Sequence, residues 1–166
     1  MGIVNEKYSI LSEEETEIIR RKLEARLYET MKDGWSPYWY PLKQVKKEVD
    51  VIAFNSNFWN DDSNMKLLSD ILKNINIGRV YSLQECSRVY VYEEFFSESV
   101  FFEEDEDGYS LPYYSENYIW DESHRWLIYT SHEGTIAFAG KHLVEGIRTR
   151  LNSDEFEQEC INKKYM

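Results

Sequence analysis

Cysteine, proline and glycine are all scarce: the 166 residues hold 2 Cys, 3 Pro and 7 Gly. Cys86 and Cys160 have neither the density of a disulfide-stapled secreted domain nor the paired spacing of a zinc site, so they read as reduced, partly buried thiols. The shortage of Pro and Gly excludes collagen-like and low-complexity architectures. No apolar run reaches the ~18 residues that mark a membrane-spanning helix, so no membrane association is expected. Residues Met1 to Glu6 lack the basic and apolar regions of a secretory signal. Gly2 is not in a myristoylation motif, because Glu6 stands where that motif needs Ser or Thr. A cytoplasmic location is the resulting expectation. Basic residues are also short, with 19 Lys and Arg against 31 Asp and Glu and a net charge of −12. That balance opposes binding to nucleic acid, where affinity rests on cations displacing counterions from phosphates. Glycine-rich phosphate loops, HExxH, EF-hand spacing and the GxSxG elbow are all missing, so no cofactor is expected.

What is present is a chain long enough to bury a full core, with 42% hydrophobic and 16% aromatic residues. Ser12-Glu13-Glu14-Glu15 has the form of a capping box. Ile19, Leu23, Leu27 and Met31, with Ile18 and Tyr28 beside them, predict a helix over about Glu13 to Met31. Its Arg20, Arg21, Lys22 and Arg26 mix with glutamates as an ordinary solvated face. The segment Trp35-Ser36-Pro37-Tyr38-Trp39-Tyr40-Pro41 cannot be helix interior or central strand and reads as extended chain pressed on the core, with a peptide or ligand groove as the alternative. Val49 to Phe54 is strand-like. Asn60 to Ser63 opens a second helix carrying Met65, Leu68, Ile71, Leu72 and Ile75, with Gly78 placed to end it.

Strands are expected at Arg79 to Leu83 and Arg88 to Tyr92. Trp126 to Ala139 should form a central antiparallel hairpin, since both of its faces are largely apolar. With Glu133-Gly134 as a two-residue turn, His132 pairs with Thr135 and Tyr129 with Phe138. Leu127, Tyr129, Ile136 and Phe138 then share one face. Leu143, Val144, Ile147 and Leu151 mark a later helix in which Gly146 permits close approach. Ser153 to Glu155 caps a short final helix. Short adjacent strands between helices give the expected architecture: one α+β domain, residues 1–166, with an antiparallel sheet and helices against it.

The negative charge is concentrated. Met1 to Gln84 holds 13 acids and 12 bases, and His124 to Met166 holds six of each. Glu85 to Ser123 holds 12 acids and one base, Arg88, together with 11 of the aromatic residues. Carboxylates attract a basic partner at long range and raise its on-rate. Tyr and Trp bury apolar rings at an interface while satisfying their polar tips. The candidate binding residues are Glu103, Glu104, Asp105, Glu106 and Asp107, with Tyr109, Tyr113, Tyr114 and Trp120 as anchors.

All three histidines fall late. His124 and His132 would stand at opposite ends of one strand, roughly 26 Å apart at the rise of an extended chain, so they cannot share a metal. His124 and His142 would approach each other at the open end of the hairpin, with Glu122 as a third group. No metal site is expected. Ser131-His132-Glu133 has the letters of a triad, but consecutive side chains in a strand and turn diverge.

In being small, acidic and aromatic among its carboxylates, the chain resembles bacterial immunity proteins that neutralise toxin domains. The likeness is one of composition over Glu85 to Ser123, and no family residue carries over. It implies a non-enzymatic, cytoplasmic protein whose carboxylates occlude a basic site on a protein partner. Two rival readings stand beside it. One is a small hydrolase or ligand-binding protein using His124, His142 and Glu122 at the hairpin rim. The other is a homodimer that buries the aromatics against a second copy.

Overall fold

The computed structural model describes residues 8–26, 48–59, 61–75, 78–84, 89–92, 117–131 and 134–161. The aromatic segment 35–41, Cys86, His132, Glu133 and the acidic run 103–107 lie outside them. A capping box opens the first helix as expected. Ser12 Oγ accepts from Glu15 N, and the Glu15 carboxylate accepts from Ser12 N at 2.9 Å. The Ser12 hydroxyl also donates to the Glu15 carboxylate at 2.6 Å, and this bond, followed by the one from Ser12 N, holds Glu15 below the ordinary carboxylate range. The helix, α1, runs Glu13–Arg26 and follows a two-residue strand, β1, Ser9–Ile10. Its buried stripe is Thr16, Ile19 and Leu23. Ile18, one step round the helix, is 48% exposed and does not join the stripe.

Strand β2 (Val51–Asn55) leads directly into a one-turn helix, α2 (Ser56–Trp59), and then α3 (Asp62–Ile75). Asp61 caps α3 by accepting from Ser63 N at 2.9 Å. The α3 positions Met65, Leu68, Ile71 and Leu72 recur at three- and four-residue spacing and are all buried. Strands β3 (Val80–Gln84), β4 (Val89–Tyr92), β5 (Asn117–Asp121), β6 (Leu127–Ser131) and β7 (Thr135–Ala139) follow, then α4 (Lys141–Arg150) and α5 (Ser153–Glu159). Asn152, rather than Ser153, caps α5 by accepting from Glu155 N at 2.8 Å.

The strands form one seven-stranded sheet in the order β1-β4-β3-β5-β6-β7-β2, antiparallel throughout. With the helices against it, the fold is α+β. The 126–139 hairpin is interior, as its two apolar faces require. Its register differs from the expected one. Ser131 pairs with Thr135, and Ile128, not Tyr129, pairs with Phe138. Three residues therefore separate the strands instead of two. Gly134 takes φ 73° and its N–H donates to Ser131 O at 3.0 Å. A left-handed glycine ending a three-residue loop is a standard alternative to the two-residue turn, and Glu133-Gly134 suits both. The one-residue slip moves side chains between faces. Leu127 and Tyr129 share a face with Ala137 and Ala139, while Ile128 shares one with Ile136 and Phe138.

Each sheet face has its own core. One carries Ile52, Phe54, Ile128, Ile136 and Phe138 against α2, α3, α4 and α5. Trp59 and Phe138 meet there with ring centroids 5.0 Å apart. Gly146 brings α4 onto α3, since a Cβ on it would lie 2.8 Å from Ile71 Cγ2. Fully burying such a Leu, Ile or Phe side chain contributes about 1.5–3 kcal/mol. The other face carries Tyr81, Val89, Val91, Tyr118, Trp120 and Tyr129 beneath Ile19 and Leu23 of α1. Val89 N donates to Thr16 Oγ1 at 3.3 Å, which ties α1 to the sheet.

Both sheet edges are blunted. β1 is only two residues long, and Ile161 N donates to Ala53 O of β2 at 2.7 Å. Among the described residues no helix is long and apolar enough to cross a membrane.

Candidate functional site

Of the nine residues expected to bind a partner, Glu103, Glu104, Asp105, Glu106, Asp107, Tyr109, Tyr113 and Tyr114 lie outside the described residues. Trp120 is on β5 and is fully buried. Its ring sits 5.7 Å from that of Tyr81 within the α1-side core. As placed, its indole is a core side chain and not a surface anchor. Tyr92 and Tyr118 are buried as well. Part of the aromatic density of residues 85–123 is therefore explained by two strands, β4, which the sequence predicts, and β5, which the acidic composition conceals. Tyr90 and Tyr92 of β4 face the core beneath α2 to α5, whereas Tyr118 and Trp120 of β5 face the α1 side.

The strands that flank the acidic stretch lie among the described residues. β4 and β5 flank β3 on opposite sides. β4 ends with Tyr92 opposite Val80, and β5 begins with Asn117 opposite Gln84. The two strand ends that flank residues 93–116 thus lie at opposite ends of β3. They contain nine carboxylates and neither Lys nor Arg.

A second candidate lies where β5 turns into β6. The Asp121 carboxylate accepts from Ser123 N at 2.9 Å and from the Ser123 hydroxyl, and Asp121 O accepts from His124 N at 3.0 Å. An Asp that binds the backbone two residues on is a standard turn device. The turn leaves His124 at φ 52°, a left-handed conformation uncommon for a side-chain-bearing residue. His124 Nδ1 lies 2.7 Å from Glu122 O. A carbonyl oxygen only accepts, so Nδ1 carries the proton. Burial pulls the His124 pKa below its ordinary value. The Glu122 carbonyl opposes that, and Lys22 and Arg26 reinforce it. The neutral ring then keeps a bare lone pair on Nε2, which is buried and has no hydrogen-bond partner among the described residues.

Above this turn, α1 closes a pocket of about 550 Å³ lined by Lys22, Ala25, Arg26, Tyr81, Glu122, Ser123 and His124. Lys22 and Arg26 are one turn apart on α1 and both exposed. Glu122 Oε1 lies 3.7 Å from Arg79 Nε, so an opposite charge stands beside that carboxylate. The arrangement offers two cations, a neutral imidazole and the Tyr81 ring around one cavity.

His142 does not join it. It opens α4, which packs on the opposite sheet face, and its Nδ1 is 3.9 Å from Glu145 Oε2 on its own helix. The expected meeting of His124, His142 and Glu122 is corrected to His124 and Glu122 alone. Gly140, just ahead of α4, does press on the Arg125 backbone, so the hairpin's open end is where it was expected. The helix that follows carries His142 to the other face. Lys22 and Arg26 were read as plain solvated charge. Their i,i+4 spacing was visible, but nothing in the chain tied α1 to a turn nearly a hundred positions later.

Among the described residues no group of three or more His, Cys, Asp or Glu is placed to hold a metal ion. Comparison with protein-family models, with curated proteins and with solved structures finds no match.

Proposed function

We propose that this chain is a binding protein that recognises a basic protein partner through residues 93–116, without catalysis of its own. The observation that carries the reading is the concentration of nine carboxylates, with no Lys or Arg, between two strands embedded in a rigid sheet. Loops carried by a packed scaffold are where recognition commonly resides. The specific form of the reading is immunity: the carboxylates cover a basic active site on a toxin and exclude its substrate. With Trp120 in the core, the anchoring role passes to Tyr109, Tyr113 and Tyr114.

The first test is to co-express the chain with the products of its neighbouring genes, capture the complex and measure association against salt. The reading expects a single basic partner, often toxic when expressed alone, whose on-rate falls steeply as salt rises. An on-rate insensitive to salt, or a captured partner with no excess of basic residues, contradicts it.

A further inference from the structure

The pocket over the β5–β6 turn is not used by the protein-binding reading, and its chemistry points to a different class of ligand. The chain as a whole carries −12, yet the α1 wall of this pocket presents Lys22 and Arg26. The only acid among its described lining residues, Glu122, stands beside Arg79. Fields of more distant carboxylates are screened beyond ~8 Å at physiological ionic strength, so the local cations set the sign that a small ligand meets. Two cations one helical turn apart suit a compact dianion better than a single charge. The volume of about 550 Å³ falls in the range of small-molecule sites and exceeds what a bare oxyanion fills. The Tyr81 ring and Ala25 offer apolar wall for an organic body. His124 is 5% exposed, and its Nε2 is an acceptor with no donor among the described residues, a place that a ligand hydroxyl would fill.

We infer that this pocket is a binding site for a small organic phosphate, with its phosphate held by Lys22 and Arg26 and a hydroxyl of its organic part serving His124. None of the pocket's described lining residues belongs to residues 93–116, so either proposal can fail without the other. Both cations are exposed on α1, so neutralising them should leave the fold intact.

The test is calorimetric titration of the full chain with glucose 6-phosphate and adenosine monophosphate, with glucose, adenosine, inorganic phosphate and citrate as comparators. One of the two organic phosphates is expected to bind saturably at one per chain and to shift the His124 imidazole resonances in a parallel NMR titration. Its unphosphorylated form should not bind, and inorganic phosphate and citrate should bind more weakly. Lys22→Gln with Arg26→Gln should weaken binding at least tenfold, the loss of one or more charge-assisted contacts. Glu122→Gln should tighten it several-fold, a gain that misfolding cannot mimic. No saturable binding at millimolar ligand, citrate bound as tightly as either phosphate, or unchanged affinity in the Lys22/Arg26 variant overturns the assignment.

Discussion

Strands β4 and β5 and the stretch that joins them obey opposite rules. Every described residue of β5 is buried, and β4 buries Val89, Val91 and Tyr92. Residues 93–116 between them carry nine carboxylates and no Lys or Arg. Elsewhere the charges nearly balance: 13 acids to 12 bases before Glu85, and six to six after Ser123. The described residues form two packed cores without drawing on these acids. On the proposed function, stability and recognition fall to different residues. Mutations should therefore separate them.

The largest effects belong to the scaffold. Phe138→Ala and Trp120→Ala, one in each core, should each destabilise by about 3–5 kcal/mol, read by urea unfolding. Trp120 is the sharper case, since it lies within the acidic span by sequence. If Trp120→Ala keeps full stability and loses only partner binding, the division drawn between β5 and the stretch is broken. Gly146→Val comes next. Its new side chain must push Ile71 aside, so a loss of about 1–3 kcal/mol is expected, with α3 and α4 remaining helical by circular dichroism.

His124 gives a smaller, pH-dependent effect. Its folded-state pKa lies below the ordinary value of 6.5, with burial as the leading cause. The unfolded chain therefore binds the proton more readily, and stability grows with pH across this range. The contribution is complete above pH 6.5 and is lost as pH falls from there toward the folded-state value. His124→Asn suits the left-handed backbone and removes the titrating group, so its unfolding free energy should vary less with pH over that interval. An unchanged slope would show that His124 is not buried as a neutral ring.

Much of the scaffold was legible because its signals are local. Ser12 and Glu15 announce the start of α1, and the apolar spacing of Met65, Leu68, Ile71 and Leu72 defines α3. The hairpin was placed correctly but paired one residue out, since Glu133-Gly134 fits turns of two different lengths. β5 was obscured because Tyr118 and Trp120 were read with the acidic run rather than as alternate positions of a strand. The α1 pocket was only half visible. Glu122 and His124 stood out as neighbours, whereas Lys22, Arg26 and Tyr81 reach them through tertiary contacts that no local pattern encodes. His142 was drawn in by assuming that closeness in the chain at the hairpin end meant a shared face.

The central claim is that the acids of the stretch serve association and not folding. Its most direct test replaces Glu103, Glu104, Asp105, Glu106 and Asp107 with Gln or Asn together, and measures both unfolding and partner association by surface plasmon resonance. The account predicts stability unchanged within about 0.5 kcal/mol and an on-rate lowered roughly tenfold or more at low salt. A variant that unfolds, or one that meets the partner as fast as the native chain, would contradict it.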